Sequence, residues 1–156
     1  MNVKEDAKIV KPFLSAVENV ITTMAMVEVK AGKPFMKRDS VASGDVSGMI
    51  SMSGDRNGTI SVTFTESAIK VIVSNMLGEP ITEMNQDVKD AVGELTNMIS
   101  GQARRGLAEI GMTMNGGIPT VITGKDHSIT HITKDPLLAI PFETPHGAFT
   151  VEVSLE

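Results

Sequence analysis

The amino-acid sequence predicts an α+β fold, an antiparallel β-sheet packed against long helices. Two observations support this class. The strongest β patterns come in pairs joined by short turns, as in hairpins, and the helical patterns lie outside these pairs instead of alternating with single strands. The expected order is α-β-β-β-α-α-β-β-β. At 156 residues the chain is long enough to bury a core, and we expect a single domain over 1–156.

The amino-terminal elements are a helix and a short strand. Residues 7–26 carry apolar side chains at helical spacing, and proline is best tolerated in a first helical turn. Pro12 therefore predicts that the well-formed helix begins near Lys11. Residues 27–30 are a strand candidate, and 31–43 are polar enough for a loop with at most one further edge segment.

The clearest hairpin joins 46–52 to 59–64. Asn57-Gly58 can supply the positive φ angles that a tight turn needs. The second strand should bury one face and expose the other, because its apolar residues alternate with Ser61 and Thr63. Thr65 can cap the following helix, 66–77, and Gly78 can end it in a left-handed conformation.

After a long helix, 115–119 is predicted as a turn and 121–124 as a strand that 127–132 could continue. A second hairpin joins 137–142 to 147–155.

The long helix spans 87–112, about 26 residues without proline, or roughly 39 Å. One stripe should enter the core, and the opposite stripe should face outward. Three interior glycines, each costing about 0.5–1 kcal/mol relative to alanine, indicate that some close approach requires them. The core stripe is Val88, Val92, Leu95, Ile99, Ala103 and Ile110; the outer stripe is Asp90, Glu94, Asn97, Gly101, Arg104 and Ala108; the glycines are Gly93, Gly101 and Gly106.

Composition excludes several classes of function. A net charge of −5 and the lack of a basic stripe with interleaved aromatics argue against nucleic acid as a partner. No apolar run approaches the length of a membrane span, and no signal peptide is visible. Cysteine is absent, which excludes disulfides and thiolate chemistry and fits a cytoplasmic protein.

Standard catalytic motifs are mostly missing. The sequence has no phosphate-binding loop and no nucleophile elbow. His127 and His131 are four residues apart and could share a metal with His146 or Asp135, but nothing fixes the spacing, and exposed histidines on a strand are the simpler interpretation.

A different possibility lies on the long helix. Glu94 and Asn97 are three residues apart, so both side chains stand on one helix face. On spacing alone they are ordinary solvated residues, and the Asp90/Glu94 carboxylate pair is equally weak support for a glycosidase. However, an amide can orient a water molecule and a carboxylate can hold a partner's lysine. These two roles suffice for phosphoryl transfer when the substrate brings its own metal ion.

The run Asp90-x-x-x-Glu94-x-x-Asn97 resembles the [Asp/Ser]-x3-Glu-x2-Asn signature of the CheC/CheX/FliY family of chemotaxis phosphatases. Pro119 matches the proline of that pattern to within one residue. The resemblance covers nearly the whole chain and, with a single copy of the signature, is to the CheX branch. It implies a CheC-like fold.

The resemblance also implies a function: hydrolysis of the aspartyl phosphate of a CheY-type response regulator in chemotaxis. Glu94 would pair with the regulator's lysine and Asn97 would position the attacking water. Asp90, one turn from Glu94, would shape the local field or help the helix start, and Gly101 would give clearance. Mg²⁺ would belong to the regulator, with no cofactor bound by this chain, and a homodimer would form through β edges.

Two alternatives stay open. One is a non-catalytic binding module of the same fold, like the flagellar switch proteins; the intact Glu94/Asn97 pair favours the enzyme. The other is an unrelated metal-dependent hydrolase that uses His127 and His131.

Overall fold

Three helices and eight strands form the described part of the chain in a computed structural model, which covers residues 3–37, 42, 44–125, 127 and 137–155. The strands make one antiparallel sheet, and α1 and α3 pack against each other beside it. The elements are α1 Val3–Ala25, β1 Lys30–Ala31, β2 Phe35–Lys37, β3 Val46–Gly54, β4 Gly58–Phe64, α2 Glu66–Leu77, α3 Gln86–Glu109, β5 Met114–Gly116, β6 Thr120–Thr123, β7 Leu137–Thr144 and β8 Gly147–Leu155.

The sheet runs in the order β1-β7-β8-β4-β3-β5. Two short strands share each edge: β1 and β2 both pair with β7, and β5 and β6 both pair with β3. The two predicted hairpins are confirmed as β3–β4 and β7–β8, and β4 joins them by pairing with β8. The α+β prediction is therefore confirmed, but the described chain has four strands before and four after the two central helices, one more on each side than the predicted order.

Helix α1 begins earlier than the sequence predicted. It starts at Val3, and Pro12 lies inside the helix instead of in its first turn. Two contacts explain why the helix continues through the proline. Ile9, before it, is 1% exposed and belongs to the core. Pro12 itself packs on α3 at Gly106, where an added Cβ would come 2.9 Å from the proline Cβ. Tertiary packing thus outweighs the hydrogen bond that proline removes.

The two predicted ends of α2 are confirmed. The Thr65 hydroxyl accepts a hydrogen bond from the Ala68 N–H at 3.4 Å, and Gly78 has φ 70°. Thr65 therefore satisfies one of the free N–H groups at the helix start, and Gly78 adopts the left-handed conformation at little steric cost.

Helix α3 ends at Glu109, not at 112. Gly111 has φ 89°, and the Met112 N–H donates to the Leu107 carbonyl at 2.9 Å, so the chain turns away there. Ile110, which periodicity placed in the core, is 48% exposed as a result. The other members of the predicted core stripe are buried, namely Val88, Val92, Leu95, Ile99 and Ala103.

Strand β4 departs from the predicted pattern because all of its residues are buried, so the expected exposed face is wrong. Its polar residues bond to neighbouring strands instead of to water. The Ser61 hydroxyl donates to Glu152 Oε2 at 3.3 Å, and Lys37 Nζ lies 2.6 Å from Glu152 Oε1. A strand in the middle of a sheet can be covered on both faces when its polar groups are paired.

Three local predictions are corrected. The positive φ in the β3–β4 connection belongs to Gly54, at 145°, not to Asn57-Gly58. The strand expected at 27–30 is reduced to β1, while Val27 stays buried without strand pairing. Two of the five residues of the predicted turn at 115–119 belong to β5, because Asn115 and Gly116 pair with the end of β3. Beyond His127, the proposed continuation of β6 lies outside the described residues.

No helix among the described residues is long and apolar enough to cross a membrane.

Candidate active site on helix α3

Helix α3 lies unusually close to strand β3. A Cβ added to Gly48 would overlap the Thr96 hydroxyl, which donates to the Val92 carbonyl at 2.7 Å. Thr96 and Gly48 are both buried. The inner face of α3 is therefore fixed against the sheet. Asn97 follows Thr96 and Glu94 precedes it by two residues, so the helical turn of about 100° per residue directs both of these side chains away from the sheet.

Glu94 and Asn97 are both exposed on the outer face of α3. Among the described residues, neither side chain has a hydrogen-bond partner within the chain. The two line a shallow depression of about 390 Å³ whose other lining residues are Lys89, Asp90, Gly93, Pro119 and Val121. A carboxylate and an amide are thus presented side by side with their polar atoms free for a partner molecule.

Pro119 reaches this depression from the connection between β5 and β6. It lies beside Gly93 of α3, where an added Cβ would come 4.0 Å from Pro119 Cγ and 3.5 Å from Val121 Cγ2. The structure therefore brings Pro119 next to the Glu94/Asn97 pair, although more than 20 residues separate them in sequence. Because Gly93 has no side chain, it adds no bulk to this part of the helix surface.

Asp90 lines the same depression but is turned toward the start of the helix. Gln86 Nε2 donates to Asp90 Oδ1 at 2.8 Å, so one carboxylate oxygen is held one turn away from Glu94. Gly101 lies beyond the depression. The atom nearest to a Cβ added there is an Arg104 guanidinium nitrogen at 3.8 Å, which is ordinary van der Waals contact. No close neighbour in the described chain requires a glycine at Gly101.

Sequence reasoning gave no role to two residues that shape the surroundings of the site. The Arg104 guanidinium packs flat against Gly116 of β5, where an added Cβ would come 2.8 Å from its atoms. Arg104 Nε also donates to the Ser100 hydroxyl at 3.3 Å. The adjacent Gly116-Gly117 pair was the available signal, because consecutive glycines often mark a close approach of the backbone.

The histidine candidates do not form a metal site within the described residues. His127 Nδ1 lies 2.6 Å from the Gly124 carbonyl and Nε2 lies 2.6 Å from the Ser47 hydroxyl, so both ring nitrogens are already engaged. No group of three or more His, Asp or Glu side chains in the described ranges could hold a metal ion. His131 and Asp135 lie outside those ranges.

A larger depression, about 450 Å³, lies between α1 and α3 and includes Asn19 and Gln102. Asn19 Nδ2 donates to Gln102 Oε1 at 2.7 Å. Asn19, the asparagine of α1, therefore uses its side-chain amide in a contact between the two helices. This depression lacks the Glu-x-x-Asn arrangement, and we place the candidate site on α3 alone.

An antiparallel sheet with a long helix that presents glutamate and asparagine is the arrangement that the resemblance to chemotaxis phosphatases of the CheC-like fold implies. A family model described as chemotaxis phosphatase CheX matches residues 46–143. The chain belongs to the CheX family. The resemblance to the CheX branch and the CheC-like α+β fold class, both predicted from the sequence, are thereby confirmed.

Individual relatives agree with this assignment. The chain is 29% identical over 125 residues to the CheY-P phosphatase CheX of Thermotoga maritima, covering 80% of this chain and 81% of that protein. It is 53% identical to the crystal structure of chemotaxis protein CheX from Desulfovibrio desulfuricans, with a TM-score of 0.89 over 95% of this chain and 99% of that one. The CheX of a CheX-CheY-BeF3-Mg²⁺ complex from Borrelia burgdorferi shares the fold, with 23% identity and a TM-score of 0.81 over 94% and 97% of the two chains.

Proposed function

We propose that this chain hydrolyses the aspartyl phosphate of a CheY-type response regulator, with Glu94 and Asn97 as its two working residues. The observation that carries the proposal is their geometry. Both side chains are exposed on one face of α3, lack a hydrogen-bond partner among the described residues and line one depression with Pro119. The relatives named as a CheY-P phosphatase and as part of a CheX-CheY complex support the choice of partner.

Asn97 orients the attacking water. Its Oδ1 accepts one O–H of the water, which turns an oxygen lone pair toward phosphorus. The water oxygen forms the new P–O bond while the bond from phosphorus to the aspartyl oxygen breaks. The products are the free aspartate carboxylate and dihydrogen phosphate, which carries both protons of the water until it equilibrates with solvent. An amide is too weak a base to take either proton, so its contribution is positional.

Glu94 holds the regulator in place. One helical turn from Asn97, its carboxylate can form an ion pair with a lysine of the regulator, and the pair strengthens as the interface excludes water. The position of α3 on the regulator then sets the distance between Asn97 and phosphorus. Asp90 is held by Gln86 and adds negative charge to the same edge of the site.

Charge neutralisation at phosphorus falls to the regulator's own Mg²⁺. The residues of this chain that line the depression include two carboxylates, Asp90 and Glu94, but no group among the described residues has the geometry of a metal site. The proposed division of labour is therefore a metal ion on the substrate protein and a positioning helix on this one.

The test is the decay of phosphate from a Mg²⁺-loaded, phosphorylated CheY-type regulator. We expect the parent protein to accelerate decay, and Asn97→Ala to lose that acceleration while still binding the regulator. Asn57→Ala, an exposed asparagine in the β3–β4 connection, is the matched control and should keep full activity. Zinc analysis of the purified protein separates this enzyme from a metal-dependent hydrolase.

Two results would contradict the proposal. If the parent binds the regulator without changing its decay, the protein is a binding module of the same fold. If Asn97→Ala retains full acceleration, the water is positioned elsewhere. The homodimer and the single domain over 1–156 stay predictions, which light scattering and limited proteolysis test.

A further inference from the structure

Ile118 is the most exposed of the large hydrophobic side chains in the described residues, with 89% of its surface accessible. It lies between Gly117 and Pro119 in the connection from β5 to β6, and Pro119 lines the depression that holds Glu94 and Asn97. An isolated exposed apolar residue needs no explanation by itself. Three further features distinguish Ile118.

First, the segment that carries Ile118 is held at both ends. The Gly117 N–H donates to the Ser51 carbonyl at 2.9 Å. Gly116 pairs with Met52, and Thr120 pairs with Met49, so both flanks are attached to β3. Isoleucine is also stiff at χ1 because it branches at Cβ. Little conformational freedom remains to be lost when Ile118 is buried by a partner.

Second, a side chain of α3 supports the strand that leads into this segment. The Arg104 guanidinium packs against the Gly116 backbone, with its Nε held by Ser100. This packing needs a glycine at position 116, since a Cβ there would come 2.8 Å from the guanidinium. Arg104 stands two turns after Asn97 on the same face of α3. Both the segment and the candidate active site are thus in contact with the outer face of α3.

Third, Ile118 directly precedes Pro119, which lines the depression together with Asn97. A partner that brings a phosphoryl group to Asn97 would approach Pro119 and the residue next to it. We propose that Ile118 is a docking residue that makes an apolar contact with the response regulator beside its phosphorylated aspartate. This inference rests on the proposed function. It assigns binding to a residue outside the Glu94/Asn97 pair and makes the partner's surface at that point apolar.

In this proposal, Ile118 contributes to binding of the regulator and Asn97 contributes to the chemical step. Burial of an isoleucine in a preorganised position favours the complex without acting on the bond that breaks. Ile118 should therefore affect binding of the regulator and leave turnover of the bound complex unchanged, whereas Asn97 should do the reverse.

The experiment measures both quantities. The Kd is measured with a CheY-type regulator loaded with BeF3 and Mg²⁺, and kcat and KM with the phosphorylated regulator. We expect Ile118→Ser to raise Kd and KM about tenfold with kcat within about twofold of the parent. Ile118→Val should bind the regulator with most of the affinity of the parent. Leu77→Ser removes a half-exposed leucine at the end of α2, outside the depression, and should change neither quantity.

Several outcomes would overturn the inference. Equal Kd values for the parent and Ile118→Ser mean that the side chain is outside the interface. A loss of kcat at unchanged Kd makes Ile118 part of the catalytic geometry. Dissociation of a dimer by Ile118→Ser means that a second copy of this chain covers the residue.

Failure of the proposed function is a separate result. If the parent binds the BeF3-loaded regulator but does not accelerate dephosphorylation, the phosphatase proposal fails, and the Kd comparison still decides the role of Ile118. If the parent binds no regulator, both proposals are wrong.

Discussion

Gly48 and Thr96 are in direct contact, and a side chain of any size at Gly48 would occupy the space of the Thr96 hydroxyl. This contact fixes how close α3 lies to the sheet. Thr96 is flanked by the outer stripe that carries Glu94 and Asn97, so the same contact determines how far these side chains project. The position of the proposed catalytic surface therefore depends on a strand glycine that packs against the opposite side of the helix.

We predict that Gly48→Ala destabilises the protein by about 1–3 kcal/mol, because overpacking must push α3 away from β3. Urea unfolding followed by circular dichroism measures the loss. Gly117→Ala is the matched control, since a Cβ there meets its nearest neighbour, the Ser51 carbonyl oxygen, at 3.5 Å. A Gly48→Ala protein as stable as the control would mean that α3 can shift freely over the sheet.

Gly101→Ala should change stability and activity in opposite directions. Stability should rise by about 0.5–1 kcal/mol, because alanine favours a helix interior over glycine and no described atom comes closer than 3.8 Å to the new Cβ. Acceleration of dephosphorylation should fall if the regulator packs on Gly101, as the predicted clearance role requires. Thermal unfolding and the decay assay measure the two effects.

Gly106→Ala provides the comparison. Its Cβ would come 2.9 Å from Pro12 of α1, so the substitution should lower stability instead of raising it. A Gly101→Ala protein with full activity would contradict the clearance role and leave the glycine without a functional explanation.

Glu94→Gln should weaken binding of the regulator, since it removes the charge that we propose pairs with a lysine of the regulator while keeping the shape of the side chain. The Kd of the parent should rise with ionic strength more steeply than that of Glu94→Gln, because salt screens the lost ion pair. Asp90→Asn removes an equal charge one turn away and should have the smaller effect. If both variants lose affinity equally, the effect is general charge and not a specific pair.

Glu152→Ala should destabilise the protein by about 3 kcal/mol with unchanged kcat. Glu152 and Lys37 form an ion pair with side chains 3% and 10% exposed, and removing one partner leaves the other charge in a buried site. The double variant Lys37→Met/Glu152→Leu should recover most of the loss. Denaturant unfolding of the three proteins tests this; a double variant less stable than Glu152→Ala would show that the pair itself is favourable.

Local signals predicted those elements whose ends are set by local chemistry. Thr65 and Gly78 bound α2 as expected, because capping depends on a few adjacent residues. Predictions failed where distant packing decides. Pro12 lies inside α1 because it packs against Gly106 of α3. Ser61 can be buried because its hydroxyl donates to Glu152 on the neighbouring strand. Neither partner is visible in a local window of sequence.

The sequence by itself determined the α+β class, the two hairpins and the outward face of α3 with Glu94 and Asn97, since periodicity and spacing are properties of the chain alone. Only the tertiary structure places Pro119 beside Gly93 and Arg104 against Gly116. It also leaves Ile118 exposed next to Pro119. These relationships join residues from α3 and from the strands after it. They exist only once burial of the core has brought helix and sheet together.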